Sequence, residues 1–145
     1  MENIEMQNVD IMSNLFGKAY TLQVYKNPDG KYIVSHNSLK NLKLYLQAYL
    51  ASNNLPSFTE RYETVSSDPD HCVVRCIFTY ENGYAASETG ETTSRTLVSQ
   101  IAKDYPYLEA EKRAFDRAFI SFMMFQVENG RRLYSSAEIP VSENA

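Results

Sequence analysis

The chain has no tryptophan and only two cysteines, two histidines, five glycines and five prolines among its 145 residues. Cys72 and Cys76 stand four apart in "CVVRCIFTY". In a strand such residues share a face but lie too far apart to form a disulfide, so both read as small core residues. His36 and His71 have no second histidine or cysteine at a zinc spacing, which argues against a structural zinc. Neither "GxxxxGK[ST]" nor "GxGxxG" occurs, so both common phosphate cradles are missing. No nucleophile-elbow motif supports serine or cysteine catalysis. The carboxylates Glu88, Glu91, Asp104 and Glu109 sit in polar, loop-like sequence and read as solvated surface rather than a magnesium site. An enzyme, a cofactor and a metal are therefore not expected.

Long apolar runs are also missing, and none approaches the roughly 20 residues that span a bilayer. The opening "MENIEMQNVD" lacks the basic and apolar regions of a secretory signal, so a cytoplasmic location is expected. Positive charge is not in excess: 14 Lys and Arg stand against 18 Asp and Glu, a formal net charge of -4. That balance speaks against indiscriminate polyanion binding and restricts any nucleic-acid site to a local patch.

What is present is the composition of a globular domain, 43% hydrophobic and 22% charged. One domain over residues 1–145 is expected, with 1–16 and 128–145 loosely attached. Residues 1–17 read as a short helix around "VDIMSNLF" that stops at Gly17. "YTLQVYKNPDGKYIVSH" alternates on both sides of a turn at "NPDG" and predicts a hairpin. Ser38 is placed to cap a helix whose apolar positions are Leu39, Leu42, Leu46, Tyr49 and Leu50, ended by "SNNLP". "SFTERYETVS", "CVVRCIFTY" and "YAASETGETT" predict a three-stranded antiparallel meander. The middle strand is apolar in both alternating sets and is expected to be covered on both faces. "SRTLVSQIAKDYP" reads as a short helix interrupted by Pro106, and a long helix follows. The class is α+β: an antiparallel sheet built from an N-terminal hairpin, a helix, a three-stranded meander and a long C-terminal helix, with the helices packed on one face.

In the long helix, "YPYLEAEKRAFDRAFISFMMF", Leu108, Phe115, Ala118, Phe119 and Phe122 gather on one arc and Arg113 and Arg117 lie opposite. Glu109 with Arg113 and Lys112 with Asp116 have the spacing of ordinary ion pairs one turn apart. Glu111 falls within the apolar arc, where a carboxylate is costly unless paired, and Arg75 is its expected partner. Ile120 and Met124 lie beside the arginines, so something is expected to cover part of the arginine side.

From Phe58 to Phe125, the order of strand, turn, "CVVRCIFTYENGYAASETGE" and "AEKRAFDRAFISF" resembles the single-strand annealing proteins, the Rad fifty-two type recombination mediators and their phage counterparts. "SETGE" corresponds to the polar, glycine-containing strand end of their β-β-β-α unit. Ala110, Lys112, Arg113, Ala114, Arg117, Ala118 and Phe122 correspond to the helix that follows. The chain departs from the pattern at Asp116 and Ile120, where the family tends to be basic. The resemblance implies a cytoplasmic, homo-oligomeric module for recombination or repair, of phage or mobile-element type. It would hold single-stranded DNA in a basic groove between sheet and helix and anneal strands without nucleotide hydrolysis. Cations spaced along a backbone and aromatic faces for stacking are what such a groove needs. The candidates are Arg61 and Arg75 on strands, Lys112, Arg113 and Arg117 on the helix, and Tyr62 and Tyr80 as stacking platforms. The alternative is a small acidic interaction module, an accessory or inhibitor that binds a host protein and no nucleic acid.

Overall fold

The computed structural model describes residues 6–28, 30–68, 70–97, 100–126 and 133–136. Strand β1 (Gln7–Ser13) pairs antiparallel with β2 (Lys18–Lys26), and β3 (Tyr32–Val34) pairs with the far end of β2. Helix α1 (His36–Ser52) follows, then β4 (Thr59–Asp68), β5 (His71–Thr79), a single 3-10 turn over Glu81–Gly83 and β6 (Ala85–Thr93). Helices α2 (Gln100–Asp104) and α3 (Pro106–Met123) come next, and two short strands close the chain, β7 (Phe125–Gln126) and β8 (Leu133–Ser135). The protein is α+β, but its strands form two sheets rather than one. One has the order β7-β1-β2-β3-β8 and the other the order β4-β5-β6. All pairs are antiparallel except β3 with β8.

The helix expected over residues 1–17 is a strand. Ile11 and Ser13 alternate with exposed neighbours, a period of two that local helix signals cannot outweigh once β2 is there to pair with. Gly17 serves not as a helix stop but as the positive-φ residue of the turn that reverses β1 into β2, at φ 63. Residues 7–13 and 133–135, within the spans expected to be loosely attached, are thus both built into a sheet, residues 6, 14–16 and 136 beside them are also described, and the other terminal residues lie outside the described ones.

Helix α1 begins one turn earlier than Ser38. Ser35 is the cap: its backbone is extended and its hydroxyl accepts the Ser38 N–H at 3.1 Å, while the Ser38 hydroxyl accepts the Gln23 N–H at 3.1 Å. Leu39, Leu42, Leu46 and Leu50 are buried as their spacing requires, whereas Tyr49 faces solvent. The meander matches its expected strands, with a bulge between Thr64 and Ser66. Its middle strand is not covered on both faces. Cys72, Val74, Cys76 and Phe78 are buried under α3, but on the other face His71 and Arg75 are exposed and only Ile77 is buried, beside its neighbours Arg61 and Ser87.

An aromatic cluster fills the space between β5 and α3. Phe78 has Phe115, Phe119 and Phe122 around it at centroid distances of 5.9, 5.5 and 5.2 Å. Leu108, expected in this cluster, is exposed near the start of α3. The far end of α3 is anchored by hydrogen bonds to carbonyls that have no partner within the helix. Tyr84 Oη donates to Phe122 O at 2.9 Å, Ser13 Oγ to Met123 O at 2.6 Å and the Asn14 N–H to Met124 O at 3.0 Å. The last two tie the two sheets together through one helix terminus.

Burial pushes the Cys76 thiol up to about 12 and raises the phenols of Tyr20, Tyr25, Tyr62, Tyr80 and Tyr84 in the same direction. Each group is held protonated in the fold and gives up its proton at lower pH when unfolded. Stability therefore declines as pH rises through 9 toward 12, where these groups lose their protons in the unfolded chain before the folded one. Urea unfolding at pH 7, 9 and 10.5 should show this decline, and a flat profile would contradict it. Iodoacetamide should likewise leave Cys76 unmodified in the native protein at pH 8 and label it in urea.

Candidate nucleic-acid interface

Everything around the basic residues depends on how close α3 lies to β6. At Gly90 there is no room for a side chain, since a Cβ there would stand 2.2 Å from Ala110 O and 2.2 Å from the Ala114 backbone nitrogen. The glycine of "SETGE" and the alanines of "AEKRAF" are thus the two sides of one backbone contact. It carries the helix to the free edge of the three-stranded sheet, where β6 has no further strand beside it among the described residues.

Arg113 and Arg117, four apart, then lie along that edge. Arg113 donates through Nη1 to Glu91 O at 3.0 Å and through Nη2 to Thr96 O at 3.1 Å, and Arg117 donates through Nη1 to Thr89 O at 3.0 Å. Thr89 and Glu91 are two apart, so their carbonyls point to the same side of the strand. The cover expected over the arginine side is therefore the protein's own sheet edge. Arg113 is 8% exposed, and Glu109 lies 3.9 Å from its Nε, as the spacing of that pair implied.

The other expected residues lie elsewhere. Arg61 and Arg75 project from the face of the sheet opposite to α3. Both flank Glu63, at 3.7 and 3.5 Å, which partly neutralises them. Arg75 is consequently not the partner of Glu111, because the sheet separates the two. Lys112 is half-buried on α3. Tyr62 and Tyr80 are on the helix side of the sheet. The Tyr62 hydroxyl donates to the Glu60 carboxylate, and Tyr80 packs edge-on against Phe16 at 5.6 Å and Phe122 at 6.3 Å. No basic groove opens between sheet and helix, since that space is the hydrophobic core. Of the candidate cations, Arg61 and Arg75 lie on the face opposite α3 and Arg117 lies along the β6 rim, whereas Lys112, one turn before Asp116, shares the side of α3 that meets α1.

A second polar cluster escaped the sequence reading. His36, Lys40 and Lys43 stand at i, i+4 and i+7 on one face of α1, and His36 and Lys43 meet carboxylates of α3 and β4. His36 Nδ1 lies 2.5 Å from Asp116 Oδ1, and Lys43 Nζ lies 2.8 Å from Glu60 Oε1. Lys40 and Lys43 also sit 4.3 and 5.2 Å from the centre of the Phe115 ring. Asp116 is wholly buried and bonds His36, so it is not the exposed partner of Lys112 that its spacing implied. The spacing of three basic residues on one face of α1 was a signal available in the sequence. Their acidic partners, 17 to 80 residues away, had none. Among the described residues no three His, Cys, Asp or Glu side chains are placed to share a metal ion, and no helix is long and apolar enough to cross a membrane.

The fold and this interface define an α+β protein in which a three-stranded meander carries a long helix on one face, with no element over the other among the described residues. No protein family, characterised protein or solved structure matches the chain.

Replacing Gly90 with alanine should prevent native folding, because both clashes are with backbone that cannot turn aside. Arg113→Ala, which strips donors from two carbonyls at a buried edge, should cost about 2–4 kcal/mol by urea denaturation. An effect of Arg113→Ala below about 1 kcal/mol would show that the clamp is not structural.

Proposed function

We propose that the chain is a single-stranded nucleic-acid-binding module of the strand-annealing kind, working as a homo-oligomer in recombination or repair, without nucleotide hydrolysis and from the cytoplasm. The observation that carries the reading is the β4-β5-β6-α3 unit. Its order is that of the annealing proteins' β-β-β-α unit, and the glycine and alanines that carry the resemblance are the residues in backbone contact at Gly90. The site is revised within that unit. Arg113 is a structural clamp and Arg117 likewise donates to the sheet edge, Tyr62 and Tyr80 are core-facing, and the cations that would meet phosphate are Arg61 and Arg75 on the face opposite α3, with Lys112 on the α1 side of the helix. Phosphate arriving at Arg61 and Arg75 competes with Glu63 for both of them.

A second reading, a module that binds a host protein, is favoured by one feature. Leu44, Tyr45 and Tyr49 of α1 and Leu55 beyond it are all exposed, and the rings of Tyr45 and Tyr49 stack on one another at the surface.

Fluorescence anisotropy of a labelled oligo-dT at 50 and 200 mM salt tests the first reading. Binding should weaken with salt along a log-log slope of about -0.7 for each phosphate contact. The Arg61→Ala, Arg75→Ala double variant should reduce that slope by about 1.4 if both arginines meet phosphate. These positions are exposed, so the variant keeps its fold, which cannot be assumed for Arg113→Ala. No binding at 50 mM salt, together with capture of a nuclease-resistant host protein that Tyr49→Asp abolishes, would favour the interaction module instead.

A further inference from the structure

Strand β2 is paired unequally on its two sides. β1 runs along it from Lys18 to Val24, whereas β3 reaches only from Val24 to Lys26. Beyond that point the chain leaves the sheet. The Ser35 N–H donates to Gln23 O at 3.2 Å, and the Gln23 N–H donates to Ser38 Oγ at 3.1 Å as α1 begins. Backbone groups of successive residues in an antiparallel strand point to opposite sides. Ala19 and Thr21 share the parity of Gln23, so their N–H and C=O groups point away from β1, toward α1. No strand of the described residues pairs with them there. An open cleft of about 640 Å³ lies along this stretch, between β2 and the side of α1 that carries Asn41 and Tyr45.

We propose that this cleft takes an extended, acidic peptide segment of a partner protein, which adds to β2 as a further strand. The backbone decides the ligand class. Ala19 and Thr21 present two donors and two acceptors with the two-residue repeat that another polypeptide strand complements. A nucleic-acid backbone offers phosphate acceptors but no donors at that repeat, and would leave both carbonyls unpaired. Charge decides the composition. Lys18 lines the cleft, its ammonium 5.1 Å from the Tyr49 ring centre and 5.9 Å from that of Tyr20, and the carboxylate beside it, Asp10, is outside the described lining and already accepts from the Thr21 hydroxyl at 2.6 Å. A carboxylate of the incoming strand pairs with Lys18, and the amides of Gln23 and Asn41 are placed to bond its polar side chains. The cleft lies on the five-stranded sheet, away from the arginines of the three-stranded one, so its occupancy is independent of nucleic-acid binding.

The test uses the full chain, immobilised, and a phage-displayed library of random twelve-residue linear peptides. Enriched peptides should alternate β-branched with acidic residues. In labelled form they should bind at least tenfold more weakly to Lys18→Glu and to Asn41→Trp, a bulky change at an exposed helix position that leaves the fold intact by circular dichroism. Hydrogen exchange at the Ala19 and Thr21 amides should slow when the peptide saturates the protein. Thr21→Pro, which removes the outward donor together with the hydroxyl that bonds Asp10, should abolish binding if it folds, and Asn41→Trp decides the matter if it does not. The proposal is overturned if no peptide is enriched, if Asn41→Trp binds the peptides unchanged, or if oligo-dT displaces them and itself protects these amides.

Discussion

The backbone contact between Gly90 and Ala110–Ala114 is the constraint on which the rest of this structure depends. A helix can approach a strand this closely only where the strand has no side chain and the helix no more than methyl groups to interpose, and one methyl group at position 90 would displace α3 from β6. With the gap closed, Phe115, Phe119 and Phe122 are set at a fixed depth over Phe78. The same closeness brings Arg113 and Arg117 within reach of Thr89 O and Glu91 O. Core packing and the protection of the sheet edge are therefore consequences of one missing Cβ.

Covering the β6 edge with guanidinium groups solves a general problem of small sheets. An exposed edge offers unpaired carbonyls to any strand that meets it. Arginine suits the task because its planar fork carries several donors and no acceptor, so one side chain can serve two carbonyls, as Arg113 does for Glu91 and Thr96. The consequence for function is that a basic pattern on α3 does not equal a basic surface. On α1 as well, Lys43 is paired with Glu60 and Lys40 lies over Phe115, so cations that a count would assign to solvent link the two sheets. The β2 edge is handled differently. β3 and the start of α1 protect it only as far as Gln23, and the stretch from Ala19 to Thr21 faces an open cleft.

Short-range pattern made the local elements legible. The hairpin at "NPDG", the leucine stripe of α1, the three meander strands and the break at Pro106 all rest on periods and turn residues within a few positions of one another. The errors fall where a partner distant in sequence decides. Residues 7–13 carry helix-like signals and became a strand because β2 pairs along their whole length. Arg75 reads in the sequence as a partner for Glu111, although the strand register sets it opposite Glu63. The candidate groove joined residues from both faces of one sheet, since alternation along each strand shows which residues share a face but not which face the helix covers.

What the sequence by itself determined is the α+β class, the order of its main elements and the apolar face of each helix, because these follow from chirality, period and turn chemistry acting over a few residues. Only the tertiary structure decided the division into two sheets, the burial of Asp116 against His36, the use of Arg113 as an internal clamp and the open edge of β2. Each of these depends on which groups compete for one donor or acceptor once the elements are packed, and that competition is set by distances in space rather than along the chain.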